Sequence, residues 1–185
     1  MSPMSDLLQR VAGLHGLWQR GVADLTVEQV NHVERAGVLP IAFTLVHYVR
    51  GQDAHSIEVL DTDGLLWDGH APTFGYEGII PGRGSPLADA ERVRINNLDA
   101  WRAYQSAVFA RTERALAKMT DERYELLMFD GQRPASLAGG FLAAYVPEGP
   151  IRRRHAIEAW IYQHGCRHLG ELEHARALVG LTGVT

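Results

Sequence analysis

The stretch "WIYQHGCRHLGELEHARALVG", Trp160 to Gly180, decides the fold and locates the candidate site. Apolar residues recur through it at helical spacing, and His164 and His168 interrupt the apolar face. Four positions separate two helical side chains by only about 40° around the axis, so both imidazoles can point to one place. Gly180 supplies a natural helix end. The stretch therefore predicts the last part of a long helix that directs two histidines towards a core.

Helical periodicity extends over four segments of the chain. They predict helices from about Asp6 to Ala23, Pro40 to Leu60, Leu87 to Met119 and Ile151 to Leu178. Ser5 is a plausible N-cap of the first helix. The glycine- and proline-rich residues 61–85 predict a long connection, and residues 120–149 form either a short apolar helix or irregular structure. This pattern predicts an all-α protein, a four-helix bundle with a long connection between the second and third helices.

The composition is that of a soluble globular protein. The chain has 185 residues, of which 46% are hydrophobic and 22% charged, so residues 1–185 are expected to form a single domain. A net charge of −4 favours neither nucleic acid nor an anionic membrane as a partner. The uncharged run Ala135 to Val146 is too short to span a bilayer. The single cysteine excludes an internal disulfide and indicates a cytoplasmic protein.

A third histidine on another helix completes a candidate metal site. His47 is set into the mostly apolar face of the second predicted helix, as His164 and His168 are in the fourth. Buried imidazoles need hydrogen-bonding partners or a cation. Three histidine ligands leave a coordination position open, which is typical of catalytic metal sites. The alternative is that no metal binds and the histidines form a polar network.

Residues near the pair could support chemistry. Glu171, one turn after His168, could orient an imidazole or act as a base, or it could make a bond within its helix or across a dimer seam. Arg50 could hold a substrate carboxylate or be a solvated surface arginine. Trp160 and Ile161 precede the histidine pair on the same face and are candidate substrate-binding residues.

The remaining candidates receive other interpretations. Cys166 lies about 200° around the helix from His164, so we expect a small buried residue facing away from the pocket and not a nucleophile or ligand. His15 and His174 flank apolar stripes and are expected at the boundary of the core. The sequence assigns no role to the other histidines outside the proposed triad.

Four ordered pieces of the chain carry a resemblance to a known family. They are "HGCRHLGE" at 164–171, "DLTVEQVNHVERAGVLPIAFTLVHYVRGQD" at 24–53, "LDAWRAYQSAVFARTERALAKMTDE" at 98–122 and "LVGLTG" at 178–183. Together they resemble the DinB-like (YfiT-like) metal-dependent four-helix bundles. The pieces that do not align are residues 61–85 and 135–146, where substrate specificity is expected to lie.

The resemblance implies a function as well as a fold. It places a divalent cation, zinc or nickel, on His47, His164 and His168, and it implies a homodimer. Characterised relatives include S-transferases and isomerases that use a low-molecular-weight thiol such as mycothiol or bacillithiol. We therefore expect a metal-dependent enzyme acting on a small molecule, most closely a thiol-dependent transferase or isomerase. The alternatives are a metal-dependent hydrolase, or a non-catalytic metal-stabilised binding or stress-response protein.

Overall fold

Long helices form most of the fold. The computed structural model describes residues 3–82 and 84–185. Four helices of 15 or more residues occur within these ranges: α1 (Pro3–Ala23), α3 (Ile41–Leu60), α6 (Leu98–Ala117) and α10 (His164–Leu178). α1 and α3 each pack against both α6 and α10, which closes a ring of helices around the core. The predicted all-α class is confirmed. That residues 1–185 form one domain stays a prediction.

Short elements fill the connections between the long helices. The helical ones are α2 (Val27–Asn31), α4 (Trp67–His70), α5 (Leu87–Ala90), α7 (Asp121–Tyr124), a 3₁₀ turn (Ala135–Leu137), α8 (Phe141–Tyr145) and α9 (Arg153–Ile157). The strands are β1 (Tyr76–Glu77), β2 (Arg94–Ile95), β3 (Leu127–Phe129) and β4 (Ile151–Arg152), paired antiparallel as β1–β2 and β3–β4. None of the helices within the described ranges is both long and apolar enough to cross a membrane.

The third long helix begins later than predicted. Periodicity predicted a helix from Leu87, but the chain forms the short α5 and then β2 before α6 begins at Leu98. The side chain of Asn31 bonds both the N–H and the C=O of Ile95, as a neighbouring strand would. Asn97 then caps α6 by accepting from the N–H of Ala100. These tertiary bonds outweigh the local helical pattern.

The ends of α1 and of the last helix also differ from the prediction. α1 begins at Pro3, so Ser5 lies inside the helix and is not its N-cap. Ile151 belongs to β4, and helical structure starts at Arg153. From there α9 runs without a break through a π-helical segment (Glu158–Gln163) into α10, which ends before Gly180 as expected.

A buried carboxylate ties the long connection to the core. Asp53 on α3 accepts from the Tyr104 hydroxyl at 3.0 Å and from the Trp67 N–H at 2.9 Å, and it pairs with Arg111. Because Asp53 is fully buried, these bonds replace the water it loses on folding. Arg83, inside the predicted connection at 61–85, lies outside the described residues. The segment around Trp67 is therefore fixed against α3, the helix that carries His47.

Candidate metal centre

The three predicted histidines converge although they come from distant parts of the chain. His47 lies in α3, and His164 and His168 lie in the first turns of α10. One ring nitrogen of each lies within 4.8 Å of the other two, and the Nε2 atoms of His47 and His164 are 3.3 Å apart. Two nitrogen ligands of a tetrahedral ion, each about 2.0–2.1 Å from the metal, lie about 3.4 Å from one another. The spacing therefore fits a shared divalent ion.

A glycine between the two histidines of α10 lets the helices approach. A Cβ atom at Gly165 would lie 2.6 Å from both Leu14 Cδ2 and Tyr48 Oη, far inside contact distance. The carbonyl of Gly165 also accepts from Trp18 Nε1 at 3.2 Å. The backbone of α10 thus rests directly on α1 and α3. This close packing places His164 and His168 against His47.

Burial holds two of the imidazoles in the form that binds a metal. Burial, and then the neighbouring His168, lower the pKa of His47 to about 4. The pKa of His164 falls to about 2, again chiefly through burial, with smaller contributions from His168 and His47. A metal binds only an unprotonated ring nitrogen. Both rings can therefore accept an ion at neutral pH without releasing a proton.

The three rings cannot satisfy one another. A neutral imidazole offers one N–H and one lone pair. The Nδ1 atom of His164 is buried without a hydrogen-bond partner among the described residues, while the Nε2 atoms of His47 and His164 face each other. Where the ring nitrogens of the three histidines converge, one N–H group can donate to only one neighbouring nitrogen lone pair. A cation at the same place attracts all of the lone pairs. The donor set therefore fits a divalent ion.

Glu171 orients the third histidine. Its Oε2 atom lies 2.6 Å from His168 Nδ1, and this bond lowers the pKa of the Glu171 carboxyl. The carboxylate fixes the proton of His168 on Nδ1 and leaves Nε2 free as a ligand, an arrangement common behind metal-binding histidines. Because both residues lie on α10, the bond fits two of the roles predicted for Glu171, the orientation of an imidazole and a bond within its own helix.

A guanidinium group competes for the same nitrogen. Arg167 Nη2 donates to His168 Nε2 at 3.2 Å, and Nε2 is the atom that Glu171 leaves available. A cation bound to the three histidines would require Arg167 to give up this bond and to remain beside a like charge. Arg167 would therefore weaken the binding of a metal ion unless an anion lay near both.

Two of the three histidines, His47 and His164, lie at the wall of a cavity of about 890 Å³. A volume of this size is typical of small-molecule sites. The segments that the sequence left unaligned both contribute to its wall: Pro81 and Gly82 from the long connection, and residues 136–142 from the second segment. The cavity thus joins the candidate metal ligands to the most irregular parts of the chain.

Two of the three predicted substrate-binding residues line this cavity. Arg50 and Trp160 belong to its wall, and Arg50 is half-buried instead of solvated. Ile161 is fully buried in the core with apolar side chains such as Leu7, and it does not line the cavity. The placement of Ile161 was wrong because residues 158–163 form a π-helical turn, so the 3.6-residue register behind the prediction does not hold there.

Sequence reasoning missed His55, another histidine of the cavity wall. It lies on α3 two turns after His47 and stacks on Trp160 with ring centroids 4.9 Å apart. Burial lowers its pKa to about 4. The spacing of eight residues from His47 along a helix was a signal that both could face one side of α3.

Two further expectations need correction. Cys166 is exposed and lies at the edge of the cavity, although it was expected to be buried and directed away from it. His15 is only 1% exposed and belongs to the core, whereas His174 is exposed. A burial pattern read from one helix cannot show which faces other elements will cover.

Comparison with known proteins shows the fold alone. No protein-family model matches the chain, and no curated protein does. The chain is similar to a solved structure described as the crystal structure of the conserved protein of locus from Enterococcus faecalis, with a TM-score of 0.72. The likeness covers 97% of this chain and 98% of that one at 17% sequence identity. The same arrangement of helices therefore exists in a crystal structure, and the DinB-like resemblance stays a proposal.

Proposed function

We propose that the protein is a divalent-metal-dependent enzyme that transfers or isomerises a small molecule with the help of a low-molecular-weight thiol. The observation that carries the proposal is the convergence of His47, His164 and His168, whose ligand atoms lie within 4.8 Å of one another. Two of the three, His47 and His164, line a substrate-sized cavity. The DinB-like sequence resemblance supports the reaction class. Zinc or nickel is the proposed ion, mycothiol or bacillithiol the proposed thiol, and a cytoplasmic homodimer the proposed form.

Each residue of the site has a separate task. His47, His164 and His168 would hold the ion through Nε2, and Glu171 keeps His168 in the required tautomer. An ion held by three neutral ligands keeps its charge and an open position, where it would lower the pKa of a thiol or a water molecule. The apolar side of the cavity, which includes Trp160, excludes water from the bound substrate.

The test combines metal analysis with a panel of thiols. Purified protein is analysed for bound metal and then incubated with a generic electrophile and mycothiol, bacillithiol, glutathione or no thiol. We expect stoichiometric divalent metal and thiol-dependent conjugation that His164→Ala abolishes. His32→Ala is the matched control, because His32 is exposed and lies outside the cavity.

Other outcomes would replace the proposal. Metal-dependent hydrolysis of esters without thiol dependence would make the protein a hydrolase that uses the same open position. Loss of the folded state on metal removal, with no turnover under any condition, would favour a metal-stabilised binding protein. Absence of metal from the wild-type protein would favour the alternative interpretation, in which the histidines form a polar network.

A further inference from the structure

The wall of the histidine cavity carries positive charge and no negative charge. Arg50 and Arg167 both line it, and no aspartate or glutamate is among the described residues that do so. Glu171, an acidic residue close to the histidines, is hydrogen-bonded to His168. A divalent ion at the histidines would add further positive charge. The cavity therefore attracts an anion before any particular contact is considered.

Arg50 lacks the acidic partner that a partly buried arginine usually has. Arg176, which is buried, pairs with both carboxylate oxygens of Asp24 at 2.6 and 2.9 Å. Within the described part of the chain, Arg50 makes no ion pair and no hydrogen bond, and its Nε atom is buried without a partner. Its guanidinium group lies over the Trp67 ring, 5.6 Å from the ring centroid. A guanidinium group withdrawn from water without an anion is unfavourable, so its planar fork is available for a carboxylate.

The rest of the cavity suits an apolar molecule. The apolar side chains of its wall are those of Ala54, Leu137, Phe141, Leu142, Ala159 and Trp160. Phe141 remains 45% exposed although it is large and aromatic. An apolar ligand that covered it would remove that surface from water, which is favourable in proportion to the area buried.

We infer that the cavity binds a small carboxylate with an apolar body, and that Arg50 holds the carboxylate. The inference rests on the proposed function in that it names the class of substrate for the same site. Arg50 follows His47 by three residues, about one helical turn. A carboxylate bound by Arg50 therefore places the adjoining carbon atoms beside His47, with the apolar body against Trp160 and its neighbours.

The experiment compares matched probes on the full-length protein. Zinc-loaded and metal-free samples, each analysed for metal content, are titrated calorimetrically at neutral pH with phenylacetate, phenylacetamide and acetate. We expect phenylacetate to bind at least about tenfold more tightly than either other probe, because only it offers both the charge and the apolar body. Arg50→Gln should abolish the preference over phenylacetamide. Arg114→Gln is the control, since Arg114 is an exposed arginine outside this cavity.

The arms separate the possible failures. A preference for phenylacetate that survives in Arg50→Gln would assign the carboxylate to the ion and overturn the inference. Equal binding of phenylacetate and phenylacetamide, or no binding of any probe at millimolar concentration, would overturn it as well. Failure of the protein to take up zinc during loading would contradict the proposed function. An Arg50-dependent preference for phenylacetate in the metal-free protein would still support the carboxylate site. Trp160→Ala, which leaves Arg50 in place, should reduce the preference for phenylacetate over acetate.

Discussion

Two buried histidines, His15 and His164, occupy neighbouring parts of the helical core and have different surroundings. His15 Nδ1 lies 2.7 Å from a Glu113 carboxylate oxygen, its Nε2 lies 2.8 Å from Gln52 Nε2, and its ring stacks on Phe109. Among the described residues, His164 Nδ1 is buried without a hydrogen-bond partner, and its Nε2 faces the Nε2 atom of His47. Both ring nitrogens of His15 are thus satisfied by the protein itself, whereas Nδ1 of His164 is not. Burial alone does not distinguish the two histidines, whereas an unsatisfied ring nitrogen does.

The comparison predicts the largest stability loss at His15. His15→Ala removes a buried ring and leaves Gln52 and Glu113 without their partner, so we expect the free energy of unfolding to fall by about 2–3 kcal/mol. Metal stoichiometry should not change. Urea denaturation and metal analysis of the same samples measure both quantities, with His32→Ala as an exposed control. Loss of metal in His15→Ala at a pH where the variant is folded would break the distinction between the two histidines.

Removal of the Glu171 carboxylate should weaken the triad without destroying the fold. Glu171→Ala frees His168 to rotate and to change tautomer, and we expect metal affinity to fall by about 10- to 100-fold. Competition with a chelator of known affinity measures the change. Glu28→Ala is the control, since Glu28 lies on α2 away from the cavity. Unchanged affinity in Glu171→Ala would show that the bond to His168 plays no part in ligand orientation.

The low pKa of His55 predicts a dependence of stability on pH. Burial lowers its pKa to about 4, so between about pH 4 and the ordinary value near 6.5 the unfolded chain binds a proton at this residue more readily than the folded chain does. The free energy of unfolding should therefore be greatest above about pH 6.5 and fall as the pH drops towards 4. In metal-free protein, His55→Gln should reduce the slope of the unfolding free energy against pH by an amount that corresponds to at most about one bound proton. Denaturation curves at several pH values test this, and an equally steep decline in the variant would contradict it.

The smallest predicted effect is at Arg167. Unlike the other substitutions, a change at this residue should strengthen metal binding. Arg167→Gln removes a positive charge and a competing bond from His168 Nε2, so we expect metal affinity to rise about threefold at low ionic strength. The increase should shrink with added salt. The same chelator competition measures it, with Arg114→Gln as the control for an exposed arginine. A decrease in affinity would mean that Arg167 supports the site.

Much of the fold and of the triad could be predicted from local pattern. The four-residue spacing of His164 and His168 on an apolar face depends only on helix geometry, and His47 stood out as a polar residue within another apolar face. What failed depended on tertiary structure. The start of α6 is set by the bonds of Asn31 to Ile95, and the position of Ile161 follows from a π-helical turn that no 3.6-residue pattern contains.

The cavity was beyond sequence reasoning for a related reason. Its wall combines α3 and the last helix with residues 136–142 and with Pro81 and Gly82, which have no regular period. Which of these segments covers which helix is decided by packing between distant parts of the chain. The exposure of Cys166 at the cavity edge has the same origin. Ligand residues can be predicted from spacing, whereas the shape of the space in front of them cannot.

The most direct test of the account is the zinc stoichiometry of the wild-type protein and its triad variants. Equilibrium dialysis against zinc should give one ion per chain for wild type and for the control His32→Ala. In His47→Ala and His164→Ala the affinity should fall by more than about 100-fold, beyond the effect of a supporting residue, while circular dichroism shows the helices intact. Failure of folded wild-type protein to bind zinc, nickel or another divalent ion, or binding by His164→Ala equal to that of wild type, would contradict the central claim.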